Sequence, residues 1–318
     1  MTDSHEQTPI EGSPEPWDLL IVGAGAAGLT CAIYAGRGRL RTVVLEKMMP
    51  GGQVALNDLI ENYPGFADGI SGLELAQQMS RQATRFGAEI QTAEVKSIDV
   101  ERPFRVNTSG EPYLAKSVLI ATGCSPRRLG VPGEKEFYTR GVSYCATCDG
   151  PLFSGKPLVI VGGGNTAVDD ALFLANLASE VTVIHRRDKL RADLILQERA
   201  FANDKIRFLW NHVLTEIRGN QSVEAVRARH VTTGEETELP AAGLFIAVGE
   251  IPQTRFLPDR IHRDDAGYVL ANHDFETSVP GIFVAGDVRA GAYRQIAAAV
   301  GEGVIAYRSV RSHLEGHG

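Results

Sequence analysis

Cys145-Ala-Thr-Cys148-Asp149 sets two thiols three residues apart, with a carboxyl adjoining the second. A Cys-x-x-Cys can close a small disulfide ring, and its surroundings can lower a thiol pKa toward neutrality. The carboxyl of Asp149 can protonate a departing thiolate or hold a proton for exchange. Structural zinc needs four ligands, and the chain has no second Cys-x-x-Cys. Cys31 and Cys124 stand alone and read as ordinary buried thiols. His212, His230, His262 and His273 show no ligand spacing and read as surface or capping residues, and Trp210 as packing.

Two glycine-rich loops flank the dithiol. The first runs Gly23, Ala24, Gly25, Ala26, Ala27, Gly28. Its first glycine permits a tight turn, its second lets the backbone approach a pyrophosphate, and its third lets helix and strand pack closely. The helix that follows offers its positive end and free N–H groups to an anion. Glu46, eighteen residues after Gly28, can accept hydrogen bonds from a ribose diol. The second loop, with Gly162, Gly164 and Ala167, begins fourteen residues after Cys148 and carries the accepted Ala variant. Its second strand ends not in an acid but in His185-Arg186-Arg187-Asp188, with Arg191 following. Guanidiniums there attract a ribose 2′-phosphate, which favours NADPH over NADH. Two nucleotide sites and one dithiol together suggest a relay, from a nicotinamide hydride to a flavin and on to a disulfide.

The elements that must position these residues follow the same repeat. Asp18–Val22 is a short apolar run suited to a buried parallel strand, the helix 29–37 is rich in Ala, and 41–46 is the second strand. Leu73, Leu75, Ala76, Met79, Ala83 and Phe86 put an apolar face on a helix at 73–86. A strand at 117–123 runs into a glycine turn. A second unit follows, with strands at 157–161 and 181–184 around a helix reaching about 178. The segment 241–249 echoes 117–123. A last buried strand spans 281–287, and a small-residue helix, 293–314, closes the chain. Pro126, Gly130, Pro132 and Gly133 mark one linker, and Pro252 and Pro258 a second. Alternating strands and helices imply parallel sheets.

The chain has 318 residues, 43% of them hydrophobic, and 34 glycines, enough for two domains with normal cores. A net charge of -7 argues against a general binder of nucleic acid or anionic membrane. Residues 1–17 are polar and acidic, and read as a disordered tail with no apolar signal core. No apolar run is long enough to span a bilayer, so a cytoplasmic protein is expected.

The ordered set of motifs resembles the low-molecular-weight thioredoxin reductases of bacteria, archaea and plants. The resemblance runs from Trp17 to about Leu314. It rests on the two glycine loops, the dithiol, Gly51-Gly52-Gln53, Glu61 to Gly65, Ala121-Thr122-Gly123, His185 to Asp188, Gly286-Asp287 and Arg294-Gln295. It implies an α/β fold of two Rossmann-like three-layer domains. The FAD domain takes 18–127 and 255–318, and the NADPH domain is inserted at 128–254. It implies FAD contacts at Gly23, Gly25, Ala26, Ala27, Gly28, Glu46, Gly52, Gln53, Asn62, Thr122, Gly123, Asp287, Arg294, Gln295 and Ile296. For NADPH it implies Gly162, Gly164, Asn165, Thr166, Ala167, His185, Arg186, Arg187 and Arg191. Cys148 is then the thiol nearest the flavin, Cys145 the attacker of a partner disulfide, and Asp149 the acid. The resemblance further implies a homodimer, thioredoxin as partner, and rotation of the NADPH domain about the two linkers. Arg140 is placed to meet an acidic rim on thioredoxin, and Tyr144 stands where a smaller residue is common. A glutaredoxin-like or peroxiredoxin-linked acceptor, or oxidation of a small dithiol, is the alternative use of the same relay.

Overall fold

The computed structural model describes residues 15–316 except Asp58 and Glu61. Most of the expected N-terminal tail, 1–14, lies outside the described residues. Trp17 does not belong to a tail. It opens the first strand, β1 (Trp17–Val22), pairs with Ala115, and has the Arg41 guanidinium over its ring.

The chain forms two compact units. One comprises 1–56, 72–124 and 252–318, the other 57–71 and 125–251. In the first, β1 leads into α1 (Ala26–Arg37) and β2 (Thr42–Glu46), then α2 (Gly72–Arg85) and β3 (Glu89–Thr92). Strands β4 (Val95–Asp99), β5 (Phe104–Thr108) and β6 (Tyr113–Ile120) follow, and β7 (Cys124–Pro126) leaves the unit. The second unit holds β8 (Val142–Ser143), α3 (Ala146–Asp149), β9 (Pro157–Gly162), α4 (Asn165–Ala175), β10 (Glu180–His185), α5 (Leu194–Phe201) and β11 (Ile206–Trp210). It continues through β12 (His212–Gly219), β13 (Val223–His230), β14 (Glu236–Pro240) and β15 (Gly243–Ala247). The chain returns on β16 (Glu250–Pro252), which pairs with β7, so the expected linkers begin as a two-stranded ribbon. β17 (Ile282–Val284) and α6 (Ile296–Leu314) complete the first unit.

In the first unit the sheet order is β3-β2-β1-β6-β5-β4, with β17 also on β6. Leu19, Leu20, Ile21 and Val22 are all buried, because both faces of this parallel strand are covered. Leu20, Val22, Val43, Leu45, Val118, Ile120 and Val284 share one core with Phe104, Val106 and Val269. Each such side chain contributes about 1.5–3 kcal/mol of burial. The expectation of parallel sheets holds for β1, β2, β3, β6 and β17 but not for β4–β5–β6, which are antiparallel. The reason is local: these three strands follow one another without a crossover helix, so only hairpin connections can join them. On α2, Leu75, Ala76, Met79 and Ala83 are buried as the period requires, whereas Leu73 is exposed.

The second unit has three layers. A parallel sheet, β11-β10-β9-β15-β8, has α4 on one face. Val159, Val161, Ile184, Leu244 and Ile246 cover the other, packed on Leu214, Ile217, Val226 and Ala228 of the antiparallel sheet β12-β13-β14. That second sheet is another departure from parallel pairing, with the same cause. Among the described residues no helix is long and apolar enough to cross a membrane.

Candidate functional site: two glycine cradles and a dithiol

The first glycine loop sorts its glycines by what a side chain would meet. Gly23 has φ +103°, and a Cβ there would lie 2.5 Å from Ala121 O. A Cβ on Gly28 would lie 2.0 Å from Gly23 O, so strand, turn and helix close-pack only without side chains. At Gly25, the N-cap of α1, a Cβ would meet nothing within 4 Å. The space before Gly25 is therefore a cradle that a side chain would fill. It faces the end of a helix whose first N–H groups lack intrahelical partners. Ala26 and Ala27 are buried in that first turn. Gly52 closes over the loop, a Cβ there lying 3.5 Å from Gly25 Cα, and Gly51 N–H donates to Ala24 O at 2.8 Å.

Glu46 ends β2 as expected, and the loop itself engages its carboxylate. Oε2 accepts the Ala24 N–H at 2.9 Å and Oε1 the Met48 N–H at 3.2 Å. A cavity of about 340 Å³ opens here, lined by Gly23, Glu46, Lys96, Thr122, Gln253 and Arg255 among others. Thr122 Oγ1 donates to Gln253 O at 2.7 Å, and Gly123 O accepts the Gln253 N–H at 3.0 Å. Gln53 Nε2 donates to Cys124 O at 3.1 Å, and the Cys124 thiol donates to Asp287 O at 3.0 Å. The first unit thus gathers Gly52, Gln53, Thr122, Gly123 and Asp287 beside the loop. Arg294 lies over the Tyr268 ring at 4.8 Å, while Gln295 caps α6 and Ile296 begins it. Asn62 lies in the segment 57–71, which groups with the second unit.

The second loop repeats the sorting. A Cβ on Gly162 would lie 2.5 Å from both Ala247 O and the Ala167 Cβ, whereas Gly164 faces open space. Ala167 is fully buried where the first loop has Gly28. Asn165 and Asp193 bond reciprocally, Nδ2 to Oδ2 at 2.9 Å and Oδ1 from the Asp193 N–H at 2.8 Å. Thr166 is exposed beside them. His185 is only 6% exposed. Its ring backs the loop so closely that a Cβ on Gly163 would lie 2.2 Å from it, and Nε2 sits 3.0 Å from Lys189 O. Burial pushes its pKa down; hydrogen bonds to Lys189 and Gly162 oppose this, and the Arg191 and Arg187 charges add to it. Arg186, Arg187 and Arg191 are exposed, and none has an ion-pair partner among the described residues. The backbone N–H of Arg191 donates to Gly163 O at 2.7 Å, which ties this cationic segment to the loop.

Cys145 and Cys148 form a disulfide with Cα atoms 5.3 Å apart. Cys145 is the N-cap of the four-residue helix α3, and Cys148 and Asp149 end it. Ser143, 3% exposed at the end of β8, donates from Oγ to Asp149 Oδ2 at 2.5 Å and accepts the Cys145 N–H at 3.0 Å. The hydroxyl of Tyr144 donates to Glu134 Oε1 at 2.7 Å. Glu134 is 4% exposed and also accepts the N–H groups of Leu129 at 3.0 Å and Gly130 at 2.6 Å. Burial opposes its ionisation, but these hydrogen bonds outweigh it and hold its pKa below the ordinary value. Burial and Glu134 push the Tyr144 phenol up. The guanidinium of Arg140 is held by the carbonyls of Glu136 and Gln221.

Sequence reasoning missed Ser143, Glu134 and the pair Arg289–Glu302. Glu302 accepts the Gly286 N–H at 2.7 Å and meets Arg289 at 2.5 Å, fixing the turn that carries Asp287. A lone acid within the small-residue run of α6 was the signal for Glu302. Ser143 left none beyond lying six residues before Asp149. Cys31 and Cys124 are buried as expected, and His230 Nδ1 caps a turn through the N–H groups of Thr232 and Thr233. No metal-binding cluster occurs among the described residues.

The pyridine nucleotide-disulphide oxidoreductase family model matches residues 17–303. A thioredoxin reductase of Treponema pallidum is 46% identical, covering 94% of this chain and 97% of its own. The crystal structure of a thioredoxin reductase from Streptococcus pyogenes superposes with a TM-score of 0.88 at 46% identity, covering 94% of this chain and 98% of its own. A Lactococcus lactis thioredoxin reductase in its FR conformation gives 0.67 at 40%, covering 94% and 99%. With both cradles, the bonded Cys145–Cys148 pair and likeness along nearly its whole length, the chain belongs to the pyridine nucleotide-disulphide oxidoreductases, among the low-molecular-weight thioredoxin reductases.

Proposed function

We propose that the chain reduces the disulfide of thioredoxin with electrons from NADPH, passed through FAD to Cys145 and Cys148. The observation that carries this reading is the bonded pair itself, held on α3 with the Asp149 carboxyl fixed beside it. When bound, the two nucleotides supply the hydride and two-electron chemistry that side chains lack. The open space at Gly25 and the Glu46 carboxylate suit FAD. The open space at Gly164 and the unpaired Arg186, Arg187 and Arg191 suit a nucleotide with a 2′-phosphate. His185 serves that site by backing Gly163.

In the reduced chain the Cys145 sulfur bonds to one thioredoxin sulfur as the thioredoxin disulfide breaks. The departing thiolate takes a proton from Asp149. Cys148 then attacks the Cys145 sulfur and displaces the thioredoxin sulfur bonded to it, the Cys148 thiol proton passes to that sulfur, and the Cys145–Cys148 bond is restored. One dithiol must serve both the flavin and a protein partner, and rotation of the second unit on β7 and β16 meets both needs. That a Lactococcus lactis relative is described in a distinct FR conformation is consistent with such a motion. A homodimer in the cytoplasm is the state expected for this function, and light scattering of the FAD-loaded protein tests the dimer.

Steady-state nicotinamide consumption with thioredoxin, NADPH against NADH, tests the whole reading. Fast turnover with NADPH alone is expected. Cys148→Ser is expected to abolish thioredoxin reduction while the flavin still bleaches with NADPH. Thioredoxin reduction persisting in that variant overturns the mechanism.

A further inference from the structure

Ser143 is buried, its backbone is held in the parallel sheet opposite Phe245, and its hydroxyl touches both ends of the dithiol helix. Oγ accepts the Cys145 N–H at 3.0 Å, donates to Asp149 Oδ2 at 2.5 Å, and lies 3.3 Å from Cys145 O. A hydroxyl has one hydrogen and two lone pairs. Two arrangements therefore satisfy it in place. With Asp149 ionised, Ser143 donates to the carboxylate. With Asp149 protonated, Ser143 accepts from the carboxyl O–H and turns its own hydrogen to Cys145 O. In neither state is a buried polar atom left unpaired, so nothing need move when the proton comes or goes.

We propose that Ser143 is the positioning residue for the acid–base work of Asp149, a hydroxyl rotor that supports the carboxyl with and without its proton. The proposal rests on the reading of Asp149 as the acid. In the step it serves, the carboxyl O–H turns from Ser143 to the departing thiolate, the Asp149 O–H bond breaks and the proton goes to that sulfur. The Ser143 hydrogen then turns from Cys145 O to the new carboxylate, and Ser143 itself neither gains nor loses a proton.

Other ionisable groups near this helix are few. β8, β9, β15 and the turn Gly150–Phe153 carry none. α4, packed on α3, brings Asp169 and Asp170, and Tyr144 precedes Cys145. Burial and the neighbouring Asp169 raise Asp170 to about 7, so Asp170→Asn must be run alongside to assign its limb of any pH profile.

The test measures thioredoxin-dependent NADPH turnover against pH for the FAD-loaded wild type, Ser143→Ala, Ser143→Thr, Asp149→Asn, Asp170→Asn and the Ser143→Ala/Asp149→Asn double variant. Bound-flavin absorbance and the rate of flavin reduction by NADPH report whether the fold is intact. A donor to a carboxylate favours the charged form, and its loss is worth roughly one pH unit. Ser143→Ala is expected to move the Asp149-dependent limb up by about that much and to slow turnover about tenfold. Ser143→Thr, which keeps the hydroxyl, is expected to restore both. In the Asp149→Asn background the Ser143→Ala loss is expected to vanish. An unmoved limb in Ser143→Ala, or the same fractional loss in both backgrounds, overturns the proposal while leaving Asp149 as the acid. Full activity in Asp149→Asn removes the acid reading and the proposal with it. Should Ser143→Ala fail to hold flavin, Ser143→Val, which has the shape of Thr without its hydroxyl, gives the limb instead, and an unmoved limb there overturns the proposal.

Discussion

The two glycine loops solve one packing problem and two recognition problems. Gly23 and Gly28 in one, Gly162 and Ala167 in the other, are forced by backbone or side chain within about 2.5 Å of a Cβ or by close helix–strand contact. A Cβ on Gly25 or Gly164 would meet nothing within 4 Å, and the proposed function gives that open space to a ligand. The tips then diverge. The first ends in a carboxylate that grips its own loop, the second in a buried imidazole and three exposed guanidiniums. The helices diverge as well. Six residues past each N-cap glycine, α1 buries Cys31 completely, whereas α4 holds Asp170 half-buried. A packing geometry shared by the two loops thus leaves their differences to a handful of positions at the strand ends.

The strongest way to break this comparison is to add a side chain at each kind of glycine. Gly28→Val is expected to leave no folded first unit, because its Cβ alone lies 2.0 Å from Gly23 O. Gly25→Val is expected to fold yet retain FAD at least 100-fold less tightly, roughly 3 kcal/mol. Circular dichroism and flavin titration separate the two outcomes, and equal folding of both variants would dissolve the distinction. Next in size, Arg186→Glu with Arg187→Glu is expected to cut kcat/KM for NADPH about 100-fold and leave NADH within a few-fold, since one charge-assisted phosphate contact is worth roughly 1.5–3 kcal/mol.

The smallest effect concerns Asp170. Its folded pKa, raised by burial first and by Asp169 second, exceeds the ordinary carboxylate value, so the folded chain binds more protons between about 4 and 7. Stability from this group is full below that window and falls as pH rises through it. Asp170→Asn is therefore expected to raise the melting temperature at pH 8 by a few degrees and by nothing at pH 4. Cys31→Ser, its positional counterpart, is expected to lower stability at both pH values alike.

The motifs were legible because each is local. Strand, glycine turn and helix lie within a few residues in both repeats, and Cys145, Cys148 and Asp149 within five. The antiparallel strands β4–β6 and β12–β14 were not legible as such, since their period resembles that of any short half-buried strand and only the absence of intervening helices sets their direction. Glu302 meeting Gly286 and Arg289, or Gln53 meeting Cys124 across 71 residues, depends on packing that no local pattern encodes. His185 was legible as part of a basic tip, but its burial behind Gly163 follows from the ring of Trp210, 6.2 Å away, and from the close approach of the loop.

β6 pairs through its first half with β5 and through Val118–Ile120 with β17, and α6 lies so close to α1 that a Cβ on Gly303 would sit 2.4 Å from Ala27 O. On the ribosome these partners emerge last. The strand that carries the first cradle's neighbours must wait with half an edge open, and α1 with one side bare, while the entire inserted unit is made. The second unit, contiguous but for 57–71, can fold as it leaves the tunnel. The order of synthesis is thus opposite to the order of the first strand: the domain begun first is the one finished last, and nascent chains stalled before residue 282 are the form most exposed to chaperones and proteases.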